Sequence, residues 1–327
     1  MKRRALLVSG AGAVMAPRWL LAQSARRPRI GYLLLTPVTE PPSRERRAFL
    51  EGLREFGHIP GKTVEIVYRS AEGEVEFIDA VCQELLEQKP DVIAVSGSAA
   101  VLAAKKATRT IPIVMLALGD PVGIGAVTSL ARPGGNLTGV SFISSDLAAK
   151  RLQLAKECAP GAKRLSVIWD RRNSNARAES RAAVAAAKQF DLVAHSPGLA
   201  SDAELARELV RLARDRPDIL YVAFEGGLAT SNRTALAEFG LQQRVPVVSG
   251  WSFLTEAGGL LSYAPDISAM FRRGAYYVDR VLKGAKPAQL PIELPTQVEL
   301  AINLKTAKAI GVDVPRELLL RADRVFE

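Results

Sequence analysis

The sequence predicts an α/β protein with two lobes, each built on a parallel β-sheet, and a chain that passes between the lobes more than once. Three observations support this prediction. The chain has 327 residues, which exceeds one typical domain. Its apolar content of 48% and charged content of 24% are those of a globular protein. From Arg29 onward, short runs of Val, Ile and Leu alternate with longer segments of helical spacing, which is the βαβ pattern of a parallel sheet.

The N-terminal segment has, in order, the three parts of a secretory signal peptide. A basic head at residues 2–4 precedes an apolar stretch at residues 5–16, and small residues at 22–25 offer a cleavage point. We expect residues 1–25 to be removed during export and the protein to be periplasmic. A buried first helix is the alternative interpretation. The paired Arg3 and Arg4 also resemble a twin-arginine export signal.

The charge pattern disfavours nucleic acid as a partner. The formal net charge is +10, and it falls to +6 without residues 1–25, which hold four basic residues and no acidic one. The remaining basic residues are spread over several predicted helices and have acidic neighbours, as at residues 44–47 and 204–216. The longest apolar run is the N-terminal one, and Arg18 and several glycines interrupt it, so no membrane span is expected.

The first half of the exported chain predicts one lobe. A strand at 30–35 is followed by a helix at 44–56, whose apolar face holds Phe49, Leu53 and Phe56 and which ends at Gly57. The alternation continues with a strand at 64–68, a helix at 75–88, a strand at 92–96, a helix at 99–108, a strand at 113–118, a helical turn near 124–130 and a strand at 137–141.

A helix at 146–159 leads into a second lobe with the same plan. Its elements are strands at 165–170, 192–196, 219–223 and 247–249, which alternate with helices at 177–190, 202–215 and 233–243. A strand-like segment at 258–263, a helix at 267–282, a Pro-rich connector at 287–295 and a tail that packs back on the lobes complete the chain. We expect lobe I to comprise residues 28–142 and 265–295, and lobe II residues 143–264 and 296–327. The predicted crossings between lobes lie at 141–146 and 261–266.

The chain lacks the motifs of the common enzyme and nucleotide-binding classes. Its two histidines, His58 and His195, stand at positions that favour structural roles, and no HExxH, GxSxG or GxxxxGK[ST] sequence occurs. We therefore expect no enzymatic activity, no metal and no cofactor. An enzyme that uses Asp120, Asp170 and Glu225 as cleft carboxylates on a sugar is the alternative, but no two of them share a fixed local spacing.

Polar residues directly after the predicted strands indicate where a ligand binds. In α/β sheets, ligands bind beyond the carboxyl ends of the strands, and here two such edges would face each other across a cleft. The candidate ligand-binding residues are Thr36, Ser96, Gly97, Ser98, Asp120 and Ser141 in lobe I and Asp170, Asn173, Glu225, Trp251 and Tyr263 in lobe II. An amino acid zwitterion suits this set, with its carboxylate at the helix start near Ser98 and its ammonium group at Asp120.

Several of these candidates also have a structural interpretation. The residues around Gly97 could simply cap the following helix, and Asp120 could form an Asx turn. Trp251 and Tyr263 could stack on a planar ligand, but aromatic residues near a lobe boundary more often belong to core or hinge packing, which is the preferred interpretation for both.

The two cysteines, Cys82 and Cys158, each lie on the apolar stripe of a predicted helix. Two separate buried thiols are therefore the preferred prediction. A disulfide between them is the alternative that an oxidising compartment allows.

Five sequence runs resemble one known family. They are GDPVG at 119–123, ARPGGNLTG at 131–139, EAGGLLSY at 256–263, INLKTAK at 302–308 and LLLRAD at 318–323. Together they closely resemble the substrate-binding proteins of ABC transporters that are labelled tryptophan/tyrosine-type, over nearly the whole exported chain. Where that family often has an asparagine-proline pair after a strand of the second lobe, this chain has Arg171, Arg172 and Asn173.

The resemblance implies a type I periplasmic binding fold with two Rossmann-like lobes that close on a small organic ligand, for example an amino acid. It further implies an ABC permease with its ATPase as partner and an importer as the context, and we expect the binding protein itself to be a monomer. A sensory module that signals through another protein is the alternative function. The absence of a fused output domain in the sequence favours transport over sensing.

Overall fold

The computed structural model describes residues 26–223, 227–295 and 297–327. The predicted signal peptide and Glu225 lie outside these described residues. In the part that is described, the strands form a five-stranded sheet and an eight-stranded sheet, each flanked by helices. The predicted α/β class with two lobes is confirmed. No helix of the described ranges is long and apolar enough to cross a membrane.

Lobe I is built on the five-stranded sheet. Its elements in chain order are β1 (Arg29–Leu34), α1 (Arg44–Glu55), β2 (Glu65–Ser70), α2 (Ile78–Glu87), β3 (Val92–Ser96), α3 (Ser98–Ala107), β4 (Ile113–Leu118) and β5 (Leu137–Ser141). The strand order is β2-β1-β3-β4-β5, and all pairs are parallel. All six residues of β4 are buried because helices cover both faces of the sheet, which is why this strand is a continuous apolar run.

Lobe II begins with α4 (Ala148–Cys158) and is built on the larger sheet. Its elements continue as β6 (Arg164–Asp170), α5 (Ser174–Ala187), β7 (Val193–His195), β8 (Gly198–Leu199), α6 (Asp202–Asp215), β9 (Ile219–Ala223), α7 (Leu228–Ser231), α8 (Arg233–Gln243), β10 (Val247–Ser249), α9 (Ser252–Glu256) and β11 (Leu261–Pro265). The pairs among β6, β7, β9, β10 and β11 are parallel.

The last part of the chain returns to lobe I before it completes lobe II. Helix α10 (Ile267–Leu282) packs with α1 in the core beneath the five-stranded sheet. The chain then adds β12 (Val298–Asn303), α11 (Leu304–Ile310), α12 (Arg316–Leu320) and β13 (Arg324–Phe326) to lobe II. Strand β12 pairs antiparallel with β11, and β13 pairs parallel with β12. The tail therefore extends the second sheet.

Among residues 26–223, 227–295 and 297–327, three segments cross between the lobes. The first crossing lies between β5 and α4, at residues 142–147, and the second lies at the junction of β11 and α10, near Asp266. The third precedes β12, since Glu293 still pairs with Val140 of lobe I. Multiple crossings are the property that the type I fold requires, and the sequence predicts the first two at these places.

Two local expectations differ from the structure. Residues 124–130 form turns and bends instead of a helical turn. The Asp120 carboxylate forms an Asx turn with Val122 and Gly123 just before them, and Gly125 adopts a positive φ of 71°. The strand expected at 192–196 is shorter and spans Val193–His195. Strand β7 lies at the edge of the sheet, and Val193 is exposed to solvent.

The two cysteines are free and buried in different lobes. Cys82 packs in the core of lobe I and Cys158 in that of lobe II. Burial raises the pKa of the Cys82 thiol to about 11 and that of Cys158 to about 12. The prediction of two separate buried thiols is confirmed, and both thiols are protonated and unreactive at neutral pH.

Candidate ligand-binding cleft

A cavity of about 340 Å³ lies between the lobes, at the carboxyl ends of β1 and β3 on one side and of β6 and β10 on the other. This volume falls within the range of small-molecule sites in proteins. The parallel strands of both sheets direct their carboxyl edges, and the helix starts that follow them, toward this space. The cavity is therefore where the fold places a ligand.

One end of the cavity holds aromatic side chains, and the charged residues Arg44, Glu256 and Asp266 line the cavity as well. Trp251 follows β10 and packs against the cores of both lobes. Its ring stacks on Phe253 at 5.9 Å between centroids, and it meets Phe142 edge-on at 5.5 Å. Phe271 and Ile267 of α10 contribute from lobe I. A flat apolar group of a ligand would find aromatic side chains from both lobes here.

The start of α3 supplies the polar end from lobe I. Gly97 adopts a φ of 81° at the N-cap position, and no atom lies within 4 Å of the place that a Cβ would occupy. This lets the backbone turn sharply from β3 into the helix, so that the first N–H groups of α3 and the hydroxyl of Ser96 border the cavity. Partial positive charge at a helix start favours an anionic group of a ligand.

Lobe II places an ion pair at the same end. The Asp170 carboxylate accepts hydrogen bonds from Arg172 Nε at 3.0 Å and Nη2 at 2.8 Å, and also from the Arg172 backbone N–H at 2.9 Å. The hydrogen bond to Asp170 raises the pKa of Arg172, so the guanidinium stays charged. Both residues line the cavity. They present one positive and one negative group side by side, with no net charge.

Direct contacts across the cleft show that the lobes are closed around this cavity. The side chain of Asn175, at the start of α5 in lobe II, donates to Ser98 Oγ at 2.9 Å and accepts from the Asp120 backbone N–H at 3.2 Å. At the other side, Arg44 of α1 lies 3.7 Å from Glu256 of α9. A Cβ added at Gly119 would lie 2.4 Å from Asn175 Nδ2, so glycine permits this close approach.

The structure brings most of the predicted site residues to the cavity. Those that line it are Thr36, Ser96, Gly97, Ser98, Asp170, Asn173 and Trp251. Asn173 also caps α5, since its side chain accepts from the backbone N–H groups of Asn175 and Ala176. Glu225 falls outside the described residues.

Three predicted residues do not line the cavity, and each has a structural role instead. Asp120 Oδ1 accepts from the backbone N–H groups of Val122 and Gly123, which is the Asx turn that was the structural alternative. Ser141 is buried and donates to the Gly119 carbonyl at 2.6 Å. Tyr263 packs on the core of lobe II, and its carbonyl oxygen accepts from Arg151. The ammonium partner expected at Asp120 is therefore better sought at Asp170.

Sequence reasoning missed the cavity residues that come from helix starts. Arg44 and Glu45 begin α1, Asp266 and Ile267 begin α10, and Arg172 precedes α5. The starts of α1 and α10 have a signal in the sequence, since Ser43 and Asp266 are typical N-cap residues before apolar helical patterns. The approach of Asp266 and Ile267 to the cleft depends on the crossing that returns α10 to lobe I.

The histidines lie away from the cleft. His58 Nε2 is 2.9 Å from Asp279 Oδ1, on the α1 and α10 side of lobe I, and His195 is exposed on β7. Among the described residues, no group of three or more His, Cys, Asp or Glu side chains is arranged to hold a metal ion.

The geometry defines a class of protein. Two α/β lobes, joined by three crossings and closed over a cavity at their facing strand ends, constitute a cleft-type ligand-binding protein. The chain belongs to the ABC transporter substrate binding protein family, whose model matches residues 36–326.

One relative is similar in sequence, and two solved structures share the fold. A "Tyrosine-binding protein" of Clostridioides difficile is 26% identical over 281 residues, which are 85% of this chain and 80% of the relative. An ABC domain from Streptococcus pneumoniae in complex with L-Trp superposes with a TM-score of 0.84 at 24% identity, covering 92% of this chain and 100% of the other. The ligand-free, open structure of a substrate-binding protein with adhesive properties from Clostridium difficile gives a TM-score of 0.66 at 23% identity, with 91% and 99% coverage.

Proposed function

We propose that this protein is the exported binding component of an ABC importer and that its ligand is an L-amino acid with an apolar, aromatic side chain. The observation that carries the proposal is that the cavity lining combines aromatic side chains with the start of α3 and the Asp170–Arg172 ion pair. An amino acid of this kind combines a zwitterionic head, which suits the polar groups, with a ring, which suits the aromatic side chains.

The polar end matches the head group of a zwitterion. A carboxylate can accept from the N–H groups at the start of α3 and from the guanidinium of Arg172, while the Asp170 carboxylate can accept from an ammonium group. Asp170 and Arg172 thus offer one negative and one positive group side by side, which matches the two opposite charges of a zwitterionic head group.

The aromatic end matches a flat side chain. Trp251, Phe253 and Phe271 line the cavity from both lobes, and burial of an aromatic ring of the ligand supplies the apolar area that favours closure. The named ligands of the relatives, tyrosine and L-Trp, support this choice of side chain.

We expect aromatic L-amino acids to raise the melting temperature of the protein. A ligand at a hundred times its dissociation constant adds about 2.7 kcal/mol to the free energy of unfolding, which corresponds to a rise on the order of 5 °C for a chain of this size. The measurement is a thermal-shift panel of the twenty L-amino acids. L-aspartate and L-lysine are the controls, because each has the same zwitterionic head group but no aromatic ring.

Two analogues of tryptophan separate recognition of the head group from recognition of the ring. Tryptamine lacks the carboxylate, and indole-3-propionate lacks the ammonium group, so neither should stabilise the protein as L-tryptophan does. The proposal fails if no amino acid shifts the transition, or if the two analogues act as well as the parent amino acid.

The proposal includes export and release of residues 1–25, which is supported by the order of basic, apolar and small residues in that segment. We expect the protein recovered from the periplasm of a bacterial host to begin near residue 26, as measured by intact mass. Recovery of an intact Met1 in periplasmic material would contradict this. The family assignment supports the proposed partner, a membrane permease with an ATPase that recognises the closed form.

A further inference from the structure

Lobe II contains a buried cation that the binding site does not use. Arg151, on α4, is 0% exposed and pairs with Glu179 of α5 at 2.7 Å, and Glu179 is itself 1% exposed. Burial by itself would lower the pKa of Arg151, but Tyr221 and Glu179 outweigh it, and the pKa is raised. The guanidinium is therefore a permanent charge in the interior of the protein.

The hydrogen bonds of this guanidinium reach the first crossing and the strand that leads into the second. Nη1 donates to the carbonyl oxygen and to the hydroxyl of Ser144, both at 3.1 Å, and Ser144 lies within the first crossing. Nε donates to the Tyr263 carbonyl oxygen at 2.8 Å, in the strand that runs into the second crossing. Glu179 closes the network by accepting from Ser144 Oγ and from Tyr221 Oη, each at 2.7 Å.

The same guanidinium lies against the loop that carries the cleft tryptophan. A Cβ added at Gly250 would lie 2.5 Å from Arg151 Nη2, and the next residue is Trp251. The Trp251 ring contacts Phe142, the residue with which the first crossing begins. A ligand in contact with Trp251 therefore touches a loop that also contacts Arg151, and Arg151 in turn bonds the first crossing.

We propose that Arg151 is a positioning residue that fixes the lobe II ends of the first two crossings relative to the Trp251 loop, and thereby couples occupation of the cleft to closure of the lobes. This deepens the proposed function, since it concerns how that cleft closes. If the Arg151–Glu179 pair only stabilised lobe II, it would need neither the bonds to Ser144 and Tyr263 nor the contact with the Trp251 loop.

Arg151→Lys is the variant that separates these roles. Lysine keeps the positive charge and the pair with Glu179, but a single nitrogen cannot bond Ser144 and Tyr263 from two positions as Nη1 and Nε do. We expect the variant to fold and its dissociation constant for the ligand to rise about tenfold, which is a usual size for the coupling between linked sites. Lys150→Arg, at the partly exposed neighbouring position on α4, is the matched control and should bind as the wild type does.

A readout without ligand keeps this test independent of the proposed function. Lys62 and Arg207 are exposed on opposite lobes, so spin labels at Lys62→Cys and Arg207→Cys report the interlobe distance by double electron–electron resonance. Cys82 and Cys158 are buried and stay unlabelled. We expect a broader distance distribution for Arg151→Lys than for the wild type and the control. If wild-type protein binds no amino acid, the proposed function fails, but this comparison still decides the role of Arg151.

A second variant covers the case in which Arg151→Lys does not fold. Replacement of both partners, Arg151→Met with Glu179→Met, removes the buried charges together, which commonly preserves folding. This variant should also show the broadened distances. A wild-type distance distribution in whichever variant folds would overturn the proposal, and so would wild-type affinity for the ligand.

Discussion

Replacement of Trp251 by alanine should weaken ligand binding at least about thirtyfold, which corresponds to about 2 kcal/mol and is typical of a buried tryptophan at the centre of a binding surface. Trp251 lines the cavity and packs against the cores of both lobes. The substitution therefore removes a ring that the ligand would contact, and it also removes packing contacts between the two closed lobes. Calorimetric titration with the ligand identified by the thermal-shift panel measures the effect.

Trp169→Ala is the control for loss of an indole ring. Trp169 lies on β6 in lobe II, beside Arg177 and away from the cleft. We expect this variant to keep the affinity of the wild type even if it is somewhat less stable. Equal losses of affinity in the two variants would show that the ligand does not occupy the cleft.

Gly139→Ala should destabilise the fold by about 3 kcal/mol or more, since both backbone strain and a steric clash act at this position. Gly139 lies within β5 at a φ of 132°. A Cβ there would lie 2.2 Å from the carbonyl oxygen of Met115 and 2.6 Å from its nitrogen, in the neighbouring strand β4. The backbone atoms cannot move away without breaking the strand pair. Urea denaturation of the ligand-free protein measures the loss.

Gly57→Ala isolates the strain from the clash. Gly57 also has a positive φ, of 82°, but no atom lies within 4 Å of the position that a Cβ would occupy there. We expect a cost of about 1 kcal/mol for this variant, from the left-handed backbone alone. If both variants unfold at the same urea concentration, the close approach of β4 and β5 does not contribute as described.

The fold could be predicted from the sequence because its signals are local and repeated. Buried parallel strands such as β4 are unbroken apolar runs, and amphipathic helices such as α1 separate them. The antiparallel β12 was not predicted, because its pairing with β11 joins segments that are separated by α10 and so has no local signal. Strand β7 was predicted too long because its position at the edge of the sheet, with a pairing partner on one side only, has no local signal in the sequence.

The site could be predicted only in part. The rule that ligands bind at strand ends identified Ser96 and Asp170, because parallel strands share one carboxyl edge. It also selected Asp120, whose carboxylate forms a local turn, and sequence alone does not separate these two roles. Phe271 reaches the cleft only because α10 returns to lobe I, and Arg151 pairs with a residue on another helix. Both depend on tertiary packing that no local pattern encodes.

The central claim is that one aromatic L-amino acid binds between the lobes as a zwitterion. Isothermal titration calorimetry of the wild-type protein with L-tryptophan and L-tyrosine, at two temperatures, tests it most directly. We expect saturable binding at one site per chain for at least one of the two, with a negative heat-capacity change from the apolar surface buried on closure. The absence of binding by every aromatic L-amino acid, in protein that is shown to be folded and free of ligand, would contradict the claim.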